Sequence, residues 1–250
     1  SFPMFSPDGK KIIFSSNRDE NDRAGLFYGL ILLMQSALIG VFTSLNGFVF
    51  YLFWELALIP IYLICGIWGE GSNKIQITLK FFIYTFAGSL LMLASLIYLA
   101  AHANGNFDYE ALFQAQLSDA ESLLVALGFF IAFAIKMPVF PFHTWQPQTY
   151  TMAPSQGSML LSGIMLKMGI YGVIRWMIPL VPKGVIQFQS TIIILAIIGI
   201  VYGAIIAIRQ SDLKKIVAYS SFSHVGLIAA GAFVFSLQGL QGSMIQMFCH

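Results

Sequence analysis

The sequence is poor in charge. Only 13 Lys and Arg and 11 Asp and Glu occur among 250 residues, 10% of the chain, where soluble domains carry roughly 25%. With 58% apolar residues, a soluble domain of this size has nowhere to hide its apolar surface. The net charge of +2 is too small to point to a nucleic-acid partner. Cysteine is scarce as well: Cys65 and Cys249 lie inside apolar runs, where a thiol behaves as a small hydrophobe, and they make neither a disulfide framework nor a metal-site spacing. Gly-rich phosphate loops, nucleophile elbows and haem-attachment motifs are missing. The sequence therefore displays no metal site, no catalytic residue set and no means of carrying electrons itself. Long-period repeats and low-complexity segments are also absent.

What is present in abundance is long apolar runs. A membrane-crossing helix needs ~20 mostly apolar residues, and seven runs qualify: Leu26 to Leu45, Phe48 to Trp68, Ile75 to Ala101, Ser122 to Phe140, Ser158 to Ile178, Thr191 to Ile208 and Ile216 to Phe235. An eighth begins near Leu240 and is cut off at His250. Backbone amides facing lipid find partners only within a helix, so the fold class is an all-α polytopic membrane protein. The missing initiator methionine and the stop inside an apolar run read as a fragment, and the first residues lack the pattern of a signal peptide.

Residues 1–25 differ in kind from residues 26–250. FSPDGKKIIFSSNR reads as a β-hairpin, with a turn at Pro7, Asp8 and Gly9 between Phe5 and the strand-like Lys11 to Phe14. The loops of the membrane part carry an orientation signal. His102 to Glu121 holds Asp108, Glu110, Asp119 and Glu121 without Lys or Arg, whereas Arg209 to Lys215 is basic, as are Lys74 and Lys80. The positive-inside tendency puts the acidic loop outside and the basic loops in the cytoplasm, with Arg175 and Lys183 as exceptions on the outer side.

Three charges fall where charge is costly: Glu55 in FVFYLFWELALIPIYLICGIW, Lys136 near the end of the fourth run and Lys167 in the middle of the fifth. An uncompensated charge at that depth costs ~3 kcal/mol on insertion scales, so such residues usually face a protein interior or water-filled cavity. A structural Glu55–Lys136 ion pair is one reading, but it leaves Lys167 unexplained. A proton path accounts for all three, because burial disfavours an ammonium ion and a nearby carboxylate restores it. Pro138 and Pro141 in AIKMPVFPFHTW break the helix beside Lys136 and free backbone carbonyls there. That suggests hydration at the break, against the alternative of a simple helix end. His224 and His250 suit a proton relay as well as they suit packing. Ser220, Ser221 and Ser223 either line a path or bond between helices. His143, beside Trp145, reads as a cap or an interface anchor. Gly199 and Gly203 form a small-xxx-small pair that signals close helix packing.

At this point the motifs resemble a known family. YLFWELALIPIYLICGIWG, KFFIYTFAGSLLMLASLIYL, AFAIKMPVFPFHTWQPQTYTMAPSQGSMLLSGIMLKMGIYGVIRW and SDLKKIVAYSSFSHVGLIAAG occur in the order found in the antiporter-like proton-translocating subunits of respiratory NADH:quinone oxidoreductase, complex I. The resemblance runs from about Leu26 to His250. It implies an antiporter-like inverted-repeat fold, here incomplete, with broken helices and a row of charges along the membrane midplane. By motif, Glu55 matches the glutamate that modulates the lysine of the broken helix, here Lys136. Lys167 matches the next lysine inward, and His250 the histidine that passes protons toward an exit half beyond this chain. Gln148 departs from the Asp of many relatives.

The resemblance further implies no cofactor in this chain, with NADH, FMN, iron–sulfur clusters and quinone in partner subunits. The implied partners are the other membrane-arm subunits and the lipid bilayer, and the implied location is a bacterial inner membrane. Redox energy released in the partners would move Glu55 relative to Lys136 and so change the lysine's hold on its proton. The alternatives are a subunit of a multisubunit sodium/proton antiporter or membrane-bound hydrogenase, or a non-transporting membrane scaffold. Residues 1–25 resemble a single TolB-type β-propeller repeat, which cannot bury its own apolar face. A joined reading frame is the leading expectation for that segment, and a small appended hairpin the alternative.

Overall fold

The computed structural model describes residues 23–250, together with Met4–Phe5 and Ile12–Ile13. Strand β1 (Met4–Phe5) pairs antiparallel with β2 (Ile12–Ile13), Met4 opposite Ile13 and Phe5 opposite Ile12. The pairing is antiparallel, as in a hairpin; the turn expected at Pro7, Asp8 and Gly9 lies outside the described residues.

From Ala24 onward the chain is helical. The elements are α1 (Ala24–Thr43), α2 (Gly47–Leu56), α3 (Leu58–Trp68), α4 (Lys74–His102), the short α5 (Tyr109–Phe113) and α6 (Asp119–Lys136). After a break come α7 (Gln146–Met152), α8 (Ser155–Leu160), α9 (Leu166–Gly172), α10 (Ile178–Leu180), α11 (Pro182–Ile208), α12 (Leu213–Phe233) and α13 (Leu237–Cys249). Two π-helical turns, Leu161–Met165 and Val173–Met177, join α8, α9 and α10 into one span. Among the described residues, six helical stretches are long and apolar enough to cross a membrane: α1, Gly47–Trp68, α4, Ser155–Leu180, α11 and α12. Large apolar side chains such as Leu32, Ile39, Ile83, Ile97, Ile194 and Ile205 are exposed along them. A continuous apolar exterior is what lipid requires and water penalises.

The fourth apolar run became α6, which carries Asp119, Glu121 and Lys136 and ends at Lys136 rather than Phe140. Its place explains how it tolerates charge. The helix packs against α4, α9 and α11, and Phe129 and Phe133 are fully buried. The sixth run began earlier than its apolar stretch, at Pro182, a residue suited to the first helical position. Its polar first turns find partners: the Gln187 amide donates to the Asp119 carbonyl (3.3 Å) and the Gln189 amide to the Phe233 carbonyl (2.6 Å).

Capping side chains mark the helix starts. Asn46 accepts from the Phe48 and Val49 amides, Asp212 from the Lys215 amide and Ser236 from the Gly239 amide. Ser118 and Glu121 form a reciprocal capping box at α6, the arrangement that satisfies two orphan amides at once. The Ser118 hydroxyl and amide hold the half-buried Glu121 carboxyl down at about 2.

Charged groups collect at two ends. At one end Asn46 bonds Asp108 (2.9 Å), exposed Lys183 pairs with Asp119 (3.7 Å) and the Arg175 guanidinium sits 4.2 Å from the Tyr109 ring centroid. The two cations that broke the charge pattern thus have local partners in or beside the acidic loop. At the other end Lys214 pairs with Glu70 (3.7 Å), Lys74 donates to the Ile67 carbonyl (2.9 Å) and Lys80 to Gln148 (3.2 Å). Gly203 lets α11 close on α12, since a Cβ there would meet Phe222 at 2.7 Å and the Ser223 amide at 3.1 Å. Gly199 is less crowded, with Phe222 at 3.5 Å.

Candidate functional site

Lys136 is the last residue of α6 and is 3% exposed. Its ammonium group lies 5.5 Å from the ring centroid of buried Trp54, a cation–π contact that strengthens as water is excluded. Glu55, next to Trp54 on α2, lies within electrostatic reach of Lys136. Its Oε1 is buried without a hydrogen-bond partner among the described residues, although the Ser89 hydroxyl is nearby and donates to the Phe86 carbonyl. No ammonium–carboxylate contact within 4.0 Å joins Glu55 to Lys136. The two charges therefore face each other across a gap, not as the contact ion pair considered from the sequence. A gap leaves their interaction sensitive to small movements, because Coulomb energy falls with distance.

Pro138 and Pro141 lie in the non-helical stretch between α6 and α7, and the Phe140–Pro141 peptide is cis. Two of the carbonyls at the break are taken up by protein. Val139 donates its amide to Ala134 (2.8 Å), and the Trp145 indole donates to Ile135 (2.9 Å). Those two bonds account for the Ala134 and Ile135 carbonyls just before Lys136. His143 also departs from expectation. It is 6% exposed and stacks on Phe222 (4.3 Å between centroids), with Phe140 and Tyr202 around it. A residue caged by aromatic rings is a packing element, not an interface anchor.

Lys167 sits on α9 just after the first π-helical turn, and its ammonium donates to the Ser162 carbonyl of that turn (3.3 Å). A π-turn leaves carbonyls outside the regular ladder, and such turns often occur at functional sites. Gly169 packs against the backbone at the end of α6: a Cβ there would stand 2.9 Å from the Met137 amide nitrogen. The helix of Lys167 thus touches the helix end that bears Lys136. Lys167 is also within electrostatic reach of His250. The His250 ring lies 5.6 Å from that of His224, and its Nε2 is 3.3 Å from the Ser221 carbonyl.

Two clusters result, Glu55–Trp54–Lys136 and Lys167–His250–His224, joined by the α6–α9 contact. A cavity of about 590 Å3 opens beside the second, lined by Tyr150, Ser158, Ser162, Lys214, Ser220, Ser221, His224 and His250 among others. Ser220 thus faces the cavity, whereas Ser223 bonds the Ile200 carbonyl of α11 (2.9 Å). Trp54, Gln146 and Tyr150 were missed by the sequence reading. The signal was present in the polar residues spaced four apart in QPQTY and in the ring preceding Glu55. Among the described residues no group of three or more His, Cys, Asp or Glu is placed to hold a metal.

Residues 44–250 match the family described as "NADH:quinone oxidoreductase/Mrp antiporter, TM". The chain belongs to this family. It is similar to NADH-quinone oxidoreductase subunit M of Rickettsia conorii, 45% identical over 223 residues that cover 88% of this chain and 44% of the relative. Among solved structures, respiratory complex I from Thermus thermophilus superposes with a TM-score of 0.84 at 35% identity, covering 89% of this chain and 48% of that one. The Mrp complex from Dietzia sp. shares the fold, with a TM-score of 0.81 at 24% identity over 90% of this chain and 25% of that one. The chain thus has the antiporter-like fold of this membrane family and spans about half the length of the complex I relatives it matches.

Proposed function

We propose that this chain is a proton-translocating membrane component of an NADH:quinone oxidoreductase, in which Lys136 holds a proton whose binding is set by Glu55. The observation that carries the reading is the pair itself: a buried ammonium and a carboxylate with an unpartnered buried oxygen, in electrostatic reach but not in contact. When Glu55 approaches, the ammonium form is favoured; when it withdraws, the ammonium releases a proton toward Lys167 and His250 and is left as the amine. Redox partners carrying NADH, FMN, iron–sulfur clusters and quinone would supply the displacement, and this chain's own residues would hold and pass the proton. The inner membrane of a bacterium is the location that fits the Rickettsia relative, with the basic end facing the cytoplasm. The other membrane-arm subunits are the partners. The higher identity to the complex I relative than to the Mrp fold neighbour favours this reading over an antiporter subunit. Residues 1–25 take no part in it.

The test is proton pumping in inside-out vesicles containing the assembled complex. Lys136→Met should remove pumping and depress NADH oxidation. Unaltered pumping would leave only the scaffold reading.

A further inference from the structure

The helices packed most closely against α6 are α4, α11 and α9, and none of them carries an aspartate or a glutamate. Their basic side chains are Lys74, Lys80 and His102 on α4, Lys167 on α9 and Lys183 on α11. Apart from the carbonyls that end α6 itself, what favours a cation at Lys136 therefore comes from α2. Two adjacent residues of α2 supply it in different ways. Glu55 carries a charge, but it is half-buried, keeps one oxygen unpartnered and stands out of contact with the ammonium. Trp54 carries no charge, yet its ring lies beneath the ammonium, 5.5 Å from nitrogen to centroid, inside the ~6 Å over which the negative face of an aromatic ring attracts a cation.

Packing fixes the indole in that place. Trp54 is 3% exposed and sits between Phe50 of its own helix (5.5 Å between centroids) and Phe133 of α6 (5.6 Å). Phe133 precedes Lys136 by three residues, so the two share a face of α6, and a ring packed on one is delivered to the other. Glu55 has no such enclosure and stands two residues before Ala57, the joint between α2 and α3. We propose that Trp54 is a positioning residue for the transported proton: its indole face supplies a constant part of the hold on the Lys136 ammonium, to which Glu55 adds the variable part. Without that constant part, Lys136 would load less readily as Glu55 approaches and release earlier as it withdraws. Trp54 itself neither gains nor loses a proton. The inference rests on the proposed role of Lys136 as proton holder. A contact of this kind, away from water, changes a proton equilibrium by about threefold to tenfold.

The test replaces Trp54 alone, by stop-codon suppression in the assembled complex, with mono-, di- and trifluorotryptophan. These keep the shape of the indole while each fluorine weakens the negative face of the ring. Pumping rate and assembled complex are measured in inside-out vesicles over a range of pH. Loading of Lys136 limits pumping where protons are scarce, so the alkaline limb of the profile should move to lower pH with each fluorine, by about 0.5–1 pH unit for the trifluoro ring. Tryptophan inserted by the same route should restore the original profile, Trp54→Phe should fall between, and Trp54→Leu should lose at least as much as the trifluoro ring. A ring that only fills space responds to its size and not to its fluorines. A flat series in complexes that assemble normally therefore overturns the proposal, even where Trp54→Leu fails to assemble. If Lys136→Met abolishes pumping while the fluorinated series is flat, the role of Trp54 alone fails. If Lys136→Met pumps normally, both that role and the proton-holder reading fail.

Discussion

Glu55→Gln isolates the charge of the carboxylate while retaining its shape. The structure sets a ceiling on what that charge does. Since no contact within 4.0 Å joins Glu55 to Lys136, their interaction is below about 4 kcal/mol at an effective dielectric of about 20. At about 1.4 kcal/mol per tenfold, that corresponds to less than roughly a thousandfold in any step that depends on it. A loss in pumping of about ten- to a hundredfold is expected, within that ceiling. The assay is the initial rate of acidification in inside-out vesicles driven by NADH, normalised to assembled complex. Asp119→Asn is the control, because Asp119 is an exposed residue paired with an exposed lysine, and such pairs are worth little. The reasoning is refuted if Glu55→Gln pumps at the unaltered rate, or if Asp119→Asn matches its loss.

Four further outcomes test the packing and the caps. Ser118→Ala removes the hydroxyl of the α6 capping box and should cost about 1 kcal/mol, read as a lower unfolding temperature in detergent. Because the Glu121 carboxyl is held down at about 2, the box should be intact above the usual carboxylate range and weaken progressively as pH falls toward 2. Amide exchange in the first turn of α6 should therefore stay protected from pH 7 to pH 5, beyond the intrinsic pH dependence of exchange, and lose protection only below that. Gly203→Val forces a side chain into Phe222 and the Ser223 backbone; it should destabilise the α11–α12 contact by about 1–3 kcal/mol and reduce assembled complex on a native gel. Phe129→Ala empties a fully buried site in α6, with an expected loss of about 3–5 kcal/mol in unfolding free energy.

Much of the site was legible in the sequence because charge in an apolar run is conspicuous whatever the fold. Glu55, Lys136 and Lys167 are such cases, and each lies within a helix predicted from its run. The interruption after Lys136 was legible for a similarly local reason, since proline acts on its own backbone. What happened to the freed carbonyls was not, because their partners, Val139 and the Trp145 indole, come from the fold of the break itself. His143 looked like an interface residue by its neighbour Trp145, yet two of the rings that enclose it, Tyr202 and Phe222, come from α11 and α12.

The sequence by itself determined that the chain is helical and lives in a membrane, because apolar runs of that length admit no other backbone that satisfies its own hydrogen bonds. It also determined which few residues carry charge into that interior. Only the tertiary structure decided that Glu55 and Lys136 stand apart without touching, that His224 and His250 meet beside a cavity, and that α6 is sheltered enough to keep a lysine. Those are distances between segments far apart in the chain, and they depend on how closely helices pack, which residue patterns along one helix do not encode.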